Sequence, residues 1–180
     1  MFNRTRRTMA AFAAVLGLGI GSAVWASTAA SAAPANIPPV CSTANLVVWV
    51  NVDEGQGAAG TWYYPLEFTN ISNHTCRVWG YPGVSATDAN GKQLGDAAGR
   101  QNIWPGAWVN IGAGGTAHAL FGYGAAEVST SGCKPKTATY LKVYPPNQFS
   151  ARNAFFDFPS CTVKHHTYLF VSVIRPGTGI

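Results

Sequence analysis

The chain has 180 residues, of which only 11% are charged and 12% are aromatic, and its formal net charge is +5. Charge this sparse, against roughly 25% in an ordinary soluble chain, excludes a charged disordered tail and a coiled coil. No set of long apolar runs exists to build a multi-pass membrane protein. With 20 Gly and 11 Pro beside the bulky residues, the composition points to short strands joined by many turns.

The first segment is an address. Arg4, Arg6 and Arg7 precede a soft apolar run from Met9 to Ile20, and a small-residue stretch leads to Ala30-Ser31-Ala32. A positive amino end, an apolar centre and an A-x-A site make a secretory signal peptide, with cleavage expected after Ala32 or Ala33. Thr5-Arg6-Arg7-Thr8-Met9 resembles the twin-arginine export signature, which suits a run of modest hydrophobicity. The competing reading is a membrane anchor over residues 9–26, but the Gly and Ala content there makes insertion weak. Cys41 follows Ile37-Pro38-Pro39-Val40 and lies too far from the apolar run for a lipid-attachment site. No stable membrane anchor is therefore expected. Loss of the signal takes Arg4, Arg6 and Arg7 from the 12 basic residues, leaving 9 against 7 acidic ones and a net +2. Nucleic acid is not expected as a partner of so weakly charged a domain.

After a proline-rich lead-in at 33–40, Leu46–Val52 is a β-branched run and reads as a strand. Asp53–Gly60 is expected to be a flexible loop. Thr61–Asn70 alternates, Leu66 and Phe68 one way and Glu67 and Thr69 the other, as a half-buried strand does. Cys76–Tyr81 follows a polar turn. Val84–Thr87 and Lys92–Leu94 flank Asp88-Ala89-Asn90-Gly91, whose Asn-Gly suits a tight hairpin. Trp108–Ile111 and Thr116–Tyr123 flank a glycine-rich turn, Tyr140–Tyr144 ends at Pro145-Pro146, and Thr167–Ile174 points Leu169, Val171 and Val173 inward. The expected architecture is all-β: one antiparallel, immunoglobulin-like β-sandwich over 41–180, with a small barrel as the alternative.

Four cysteines, Cys41, Cys76, Cys133 and Cys161, follow the signal. An even count in an exported chain reads as two disulfides. Three pairings are possible. Cys41–Cys76 with Cys133–Cys161 is favoured, because neighbours in sequence are usually neighbours in space. No C-x-x-C exists for zinc or redox catalysis.

Cys41, then Asn70-Ile71-Ser72-Asn73-His74-Thr75-Cys76, Gly80-Tyr81-Pro82-Gly83-Val84 and Asp88-Ala89-Asn90-Gly91 form an ordered series. It resembles the actinobacterial exported family known as domain of unknown function 4232, over about Cys41 to Ile174. The resemblance implies a secreted or surface β-sandwich with cysteine pairs and no established activity. Many relatives look like lipoproteins, whereas this chain lacks the anchor cysteine. Ile111-Gly112-Ala113-Gly114-Gly115 stands where a Pro-Gly turn is expected.

Chemistry is harder to find. His165 and His166 would point to opposite faces of a strand, so the pair does not suit one metal ion. His118 reads as a strand residue facing water or a satisfied partner. No G-x-S-x-G elbow exists, and the acidic residues read as solvated surface charges. Asn70-Ile71-Ser72 and Asn73-His74-Thr75 match glycosylation sequons but read as turns. No catalytic residue, metal or cofactor is assigned.

The aromatic residues remain. Trp62, in Trp62-Tyr63-Tyr64, and Trp104 and Trp108, which bracket Pro105-Gly106-Ala107, are candidate ligand contacts, since exposed rings mark interfaces. The alternative is that alternate rings of 62–64 fill the core with Trp49 and Trp79. The expected function is a secreted, non-catalytic module binding cell-wall polysaccharide or an extracellular protein. The alternatives are a secreted hydrolase, or an inhibitor using Ser131-Gly132-Cys133-Lys134-Pro135.

Overall fold

The computed structural model describes residues 36–125 and 132–180. The expected signal peptide and its cleavage site lie outside the described residues.

Twelve strands are seen among these residues: β1 (Leu46–Val50), β2 (Gln56–Ala58), β3 (Thr61–Asn70), β4 (Cys76–Val78), β5 (Gly83–Thr87) and β6 (Gly99–Arg100); then β7 (Val109–Ile111), β8 (Thr116–Gly124), β9 (Pro135–Tyr144), β10 (Arg152–Cys161), β11 (Leu169–Val171) and β12 (Arg175–Pro176). The large sheet runs β1-β3-β8-β11-β6, with β2 also on β3 and β12 also on β8. A second sheet runs β10-β9-β5, and β4 pairs with β7 alone. Pairing is antiparallel except between β6 and β11. The arrangement is a β-sandwich, as the strand pattern predicts.

The core is aromatic. Tyr64 of β3 and Phe121 and Tyr123 of β8 meet Phe156 and Phe158 of β10. Phe121 and Phe156 stand edge to face, with ring centroids 6.1 Å apart and planes at 90°, an arrangement that the ring quadrupole favours. Phe68, Leu66 and Leu141 complete the buried layer.

Several expectations change. The Asp53–Gly60 loop contains β2, which folds back on Thr61–Tyr63. Ala59 (φ 48°) and Gly60 (φ 81°) supply the two left-handed residues of its turn; Gly60 announces this, and Ala59 does not. The second half of β3 is not half-buried: Leu66, Glu67 and Phe68 are all at 0% exposure, because the strand is interior to the large sheet and both faces are covered there. Trp49 and Trp79 do not fill the core; they are 39% and 47% exposed. β10 is an unexpected strand. Its residues alternate, with Ala154, Phe156, Phe158 and Ser160 buried. Pro159 argues against a central strand, but β10 is an edge strand, where a missing N–H is tolerated. His165 lies in a turn, at φ 63°, and His166 follows it outside any strand.

Both favoured disulfides form. Cys41–Cys76 ties the lead-in to β4, and Cys133–Cys161 ties the approach to β9 to the end of β10, with Cα–Cα distances of 4.9 and 5.4 Å. Alongside the first, Val40 bridges Arg77, and Arg77 N–H donates to Pro39 O at 2.8 Å.

β7 and β8 flank the glycine turn as expected, but they belong to different sheets. The corner is held by Asn70. Its Nδ2 donates to His74 O, Ile111 O and Gly112 O at 2.8, 3.0 and 3.1 Å, and its Oδ1 accepts from Ser72 N–H at 3.0 Å. A side chain at 0% exposure with its amide spent in this way is a folding device, not a glycan acceptor. No helix among the described residues is long and apolar enough to cross a membrane.

Candidate functional site

A groove of about 560 Å³ opens beyond the β4–β7 pair, within the range of small-ligand sites. The residues of β4 set its first wall by alternation. Cys76 and Val78 are buried, so Arg77 and Trp79 point the other way. Val78 pairs with Val109, and continuing that register sets Trp79 opposite Trp108. Their ring centroids are 6.5 Å apart at 40°. Both rings are about half exposed, at 47% and 50%.

Gly80 forms the floor with φ 102°, a conformation that side chains rarely adopt, and its carbonyl accepts from Ile174 N–H at 3.0 Å. A Cβ here would meet nothing within 4 Å, so the glycine serves the backbone turn alone. Tyr81, Asn102 and Gly106 continue the lining. Across from them, Asn147 at φ 60° donates from Nδ2 to Trp79 O at 3.2 Å, joining the β9–β10 loop to the tryptophan wall.

Three arginines attend these rings. Arg77 Cζ lies 4.0 Å from the Trp108 centroid, Arg100 Cζ 5.4 Å from Tyr81, and Arg175 Cζ 5.4 Å from Trp104. All are within cation–π range. None has a carboxylate partner among the described residues, where an ion pair joins Lys136 to Asp88 instead. Arg77 Nε is buried without a hydrogen-bond partner.

Of the expected contacts, Trp108 stands against Trp79 but does not itself line the groove. Trp104 is half-buried beneath Arg175 and sits in the chain two residues before Gly106, which lines the groove. Trp62 stands apart: it is 44% exposed, on β3 beside Gly57, and does not line the groove. Trp79, Tyr81 and the three arginines were missing from the expected set. The Cys76–Trp79 alternation was the available signal for Arg77 and Trp79; Arg100 and Arg175 had none.

The acidic residues are not all solvated. Glu67 and Asp88 are buried. Asp88 Oδ1 accepts from Lys92 N–H at 2.9 Å and its Oδ2 from Lys136 Nζ at 2.7 Å, which holds its carboxyl below the usual range. Glu67 faces His118 across the β3–β8 ladder. The C-terminal tail covers the pair: Gly179 N–H donates to Glu67 Oε1 at 2.9 Å, and His118 Nδ1 donates to Gly177 O at 2.9 Å. Glu67 Oε2 has no partner, and burial pushes its carboxyl above the ordinary value. Closed from solvent in this way, the pair has no access to a substrate. Of the inhibitor segment, Ser131 lies outside the described residues, while Gly132 and Lys134 are exposed.

The family described as a domain of unknown function (DUF4232) matches residues 41–167. The chain belongs to this family. No curated protein and no solved structure matches it. The DUF4232 match begins at the first disulfide cysteine and takes in all four, together with Arg77, Trp79, Arg100 and Trp108. It stops short of the Ile174 end expected from the sequence. β11, β12 with Arg175, and the tail over Glu67 therefore lie beyond the DUF4232 match.

Proposed function

We propose that this protein is an exported, non-catalytic binding module of an actinobacterial cell surface or its surroundings, and that it holds its ligand in the groove beside Trp79 and Trp108. Export is supported by the amino-terminal pattern of arginines, apolar run and small residues, and by two disulfides suited to an oxidising space. Binding is supported above all by one observation: two half-exposed tryptophans stand side by side, and one of them, Trp79, lines a concave surface. Large rings left in water at a groove are unusual unless something covers them. The ligand class is an extracellular polysaccharide or protein of the envelope.

The test is retention of the purified, disulfide-bonded protein on cell-envelope fractions. The wild type is expected to be retained, and Trp79→Ala and Trp108→Ala to elute early with unchanged thermal unfolding. Equal retention of all three proteins would overturn the groove as the site. Intact mass is expected to start near Ala33 without lipid; a lipid adduct or an uncleaved amino end would overturn the export reading.

A further inference from the structure

Resting on the reading of the groove as a binding site, we propose that its ligand is an anionic saccharide, a sugar bearing carboxylate or phosphate, with the rings of Trp79 and Trp108 taking the sugar face and the arginines taking the oxyanion. Four arginines lie among the described residues, and three of them are placed against rings at or beside this groove. The fourth, Arg152, is spent on Thr43 O and Ala44 O. Among the described residues, the groove lining contains no Asp or Glu. With a net charge of only +2 after loss of the signal, this is a local concentration of cation, not a general basicity.

The choice of arginine matters. A guanidinium can stack on a ring and still present its N–H fork to a carboxylate or phosphate, whereas an ammonium gives only a point charge. Stacking also limits the freedom of the long side chain, so less ordering remains to be done on binding. Arg77 is held in this way: its head lies over Trp108, and its Nε is buried with no hydrogen-bond partner among the described residues. Asn102 and Asn147 add exposed amides at the same groove, and amides can donate to or accept from sugar hydroxyls. A peptide ligand would give the three uncompensated arginines no partner unless it were itself acidic. A single-stranded nucleic acid would need a cationic track several nucleotides long, whereas Arg100 alone lines the groove and Arg77 and Arg175 lie on tryptophans next to its lining in the chain.

The experiment measures tryptophan fluorescence and affinity of the disulfide-bonded protein with four probes: polygalacturonate, its fully methyl-esterified form, phosphomannan and neutral mannan. Polygalacturonate or phosphomannan is expected to bind and shift the emission; which of the two binds names the anion. Esterification, which removes the charge and keeps the sugar ring, is expected to weaken binding about tenfold or more, as is Arg77→Gln or Arg100→Gln. Arg77→Lys is expected to fall between wild type and Arg77→Gln. Thermal unfolding of each variant checks that it is folded. Esterified polygalacturonate or mannan binding as tightly as the charged probes would overturn the anionic assignment and leave the groove reading standing. Binding unmoved by Trp79→Ala would overturn both. Preference for oligothymidylate over every saccharide would overturn the proposal in favour of nucleic acid.

Discussion

Replacing both members of the Cys41–Cys76 pair by alanine separates what this cross-link does for stability from what it does for the groove. The bond closes a 35-residue separation, and loop closure in the unfolded chain makes that worth about 3.8 kcal/mol at 25 °C. Cys133–Cys161 closes 28 residues, worth about 3.6 kcal/mol by the same relation. For a domain of this size each kcal/mol moves the melting temperature by about 2–4 °C, so each double variant is expected to melt roughly 8–15 °C lower. The functional consequences differ. Residues 39–41 lie along β4 through the Arg77 and Cys41 backbone bonds, and β4 has only the three-residue β7 as its other strand partner. Freeing Cys41 loosens the element that carries Arg77 and Trp79. Denaturant titration followed by tryptophan emission, together with envelope retention, reads both effects. Expected is similar destabilisation of the two variants, with retention lost only in Cys41→Ala/Cys76→Ala. The reasoning is refuted if removing that bond costs under about 1 kcal/mol, or if the folded Cys133→Ala/Cys161→Ala variant loses retention equally.

Glu67→Gln tests the buried carboxyl. Its native value lies above the ordinary 4.5 because of burial, so the stability tied to its proton is present below the unfolded value and lost as pH rises through the native one. Melting curves from acid to neutral pH should show Glu67→Gln gaining on wild type as pH rises; the opposite trend rejects the assignment. Asn70→Ala removes a buried amide and strands three carbonyls, so a loss of about 3–5 kcal/mol is expected in urea unfolding. A loss below 1 kcal/mol would mean that water replaces the amide. Trp62→Ala should leave retention intact, since Trp62 lies outside the groove; reduced retention would place a contact on the β2–β3 edge.

Much of the sandwich was legible because strand alternation, turn chemistry and cysteine count are local signals. Thr61–Asn70 was read to its ends, the Asp88–Gly91 turn carries its own Asx bonds, and both cysteine pairs followed from chain proximity. β10 was missed although Ala154, Phe156 and Phe158 alternate, because Pro159 weakens a strand unless the strand is known to be at an edge. The groove was only partly legible. Trp108 stands out beside its turn. Trp79 could be read as core or surface, and the burial of its neighbours Cys76 and Val78 decides which.

Residues close together in the chain thus specify a cross-linked all-β domain of few charges, since period and turn preference act over two to four residues. Folding decides which faces are covered twice and which rings stay in water. Glu67 has the pattern of an outward residue and is buried because the C-terminal tail, 112 positions away, closes over it. Arg77, Arg100 and Arg175 meet their rings only after three separate strands are paired, and sheet pairing is a long-range choice that no short window of residues contains.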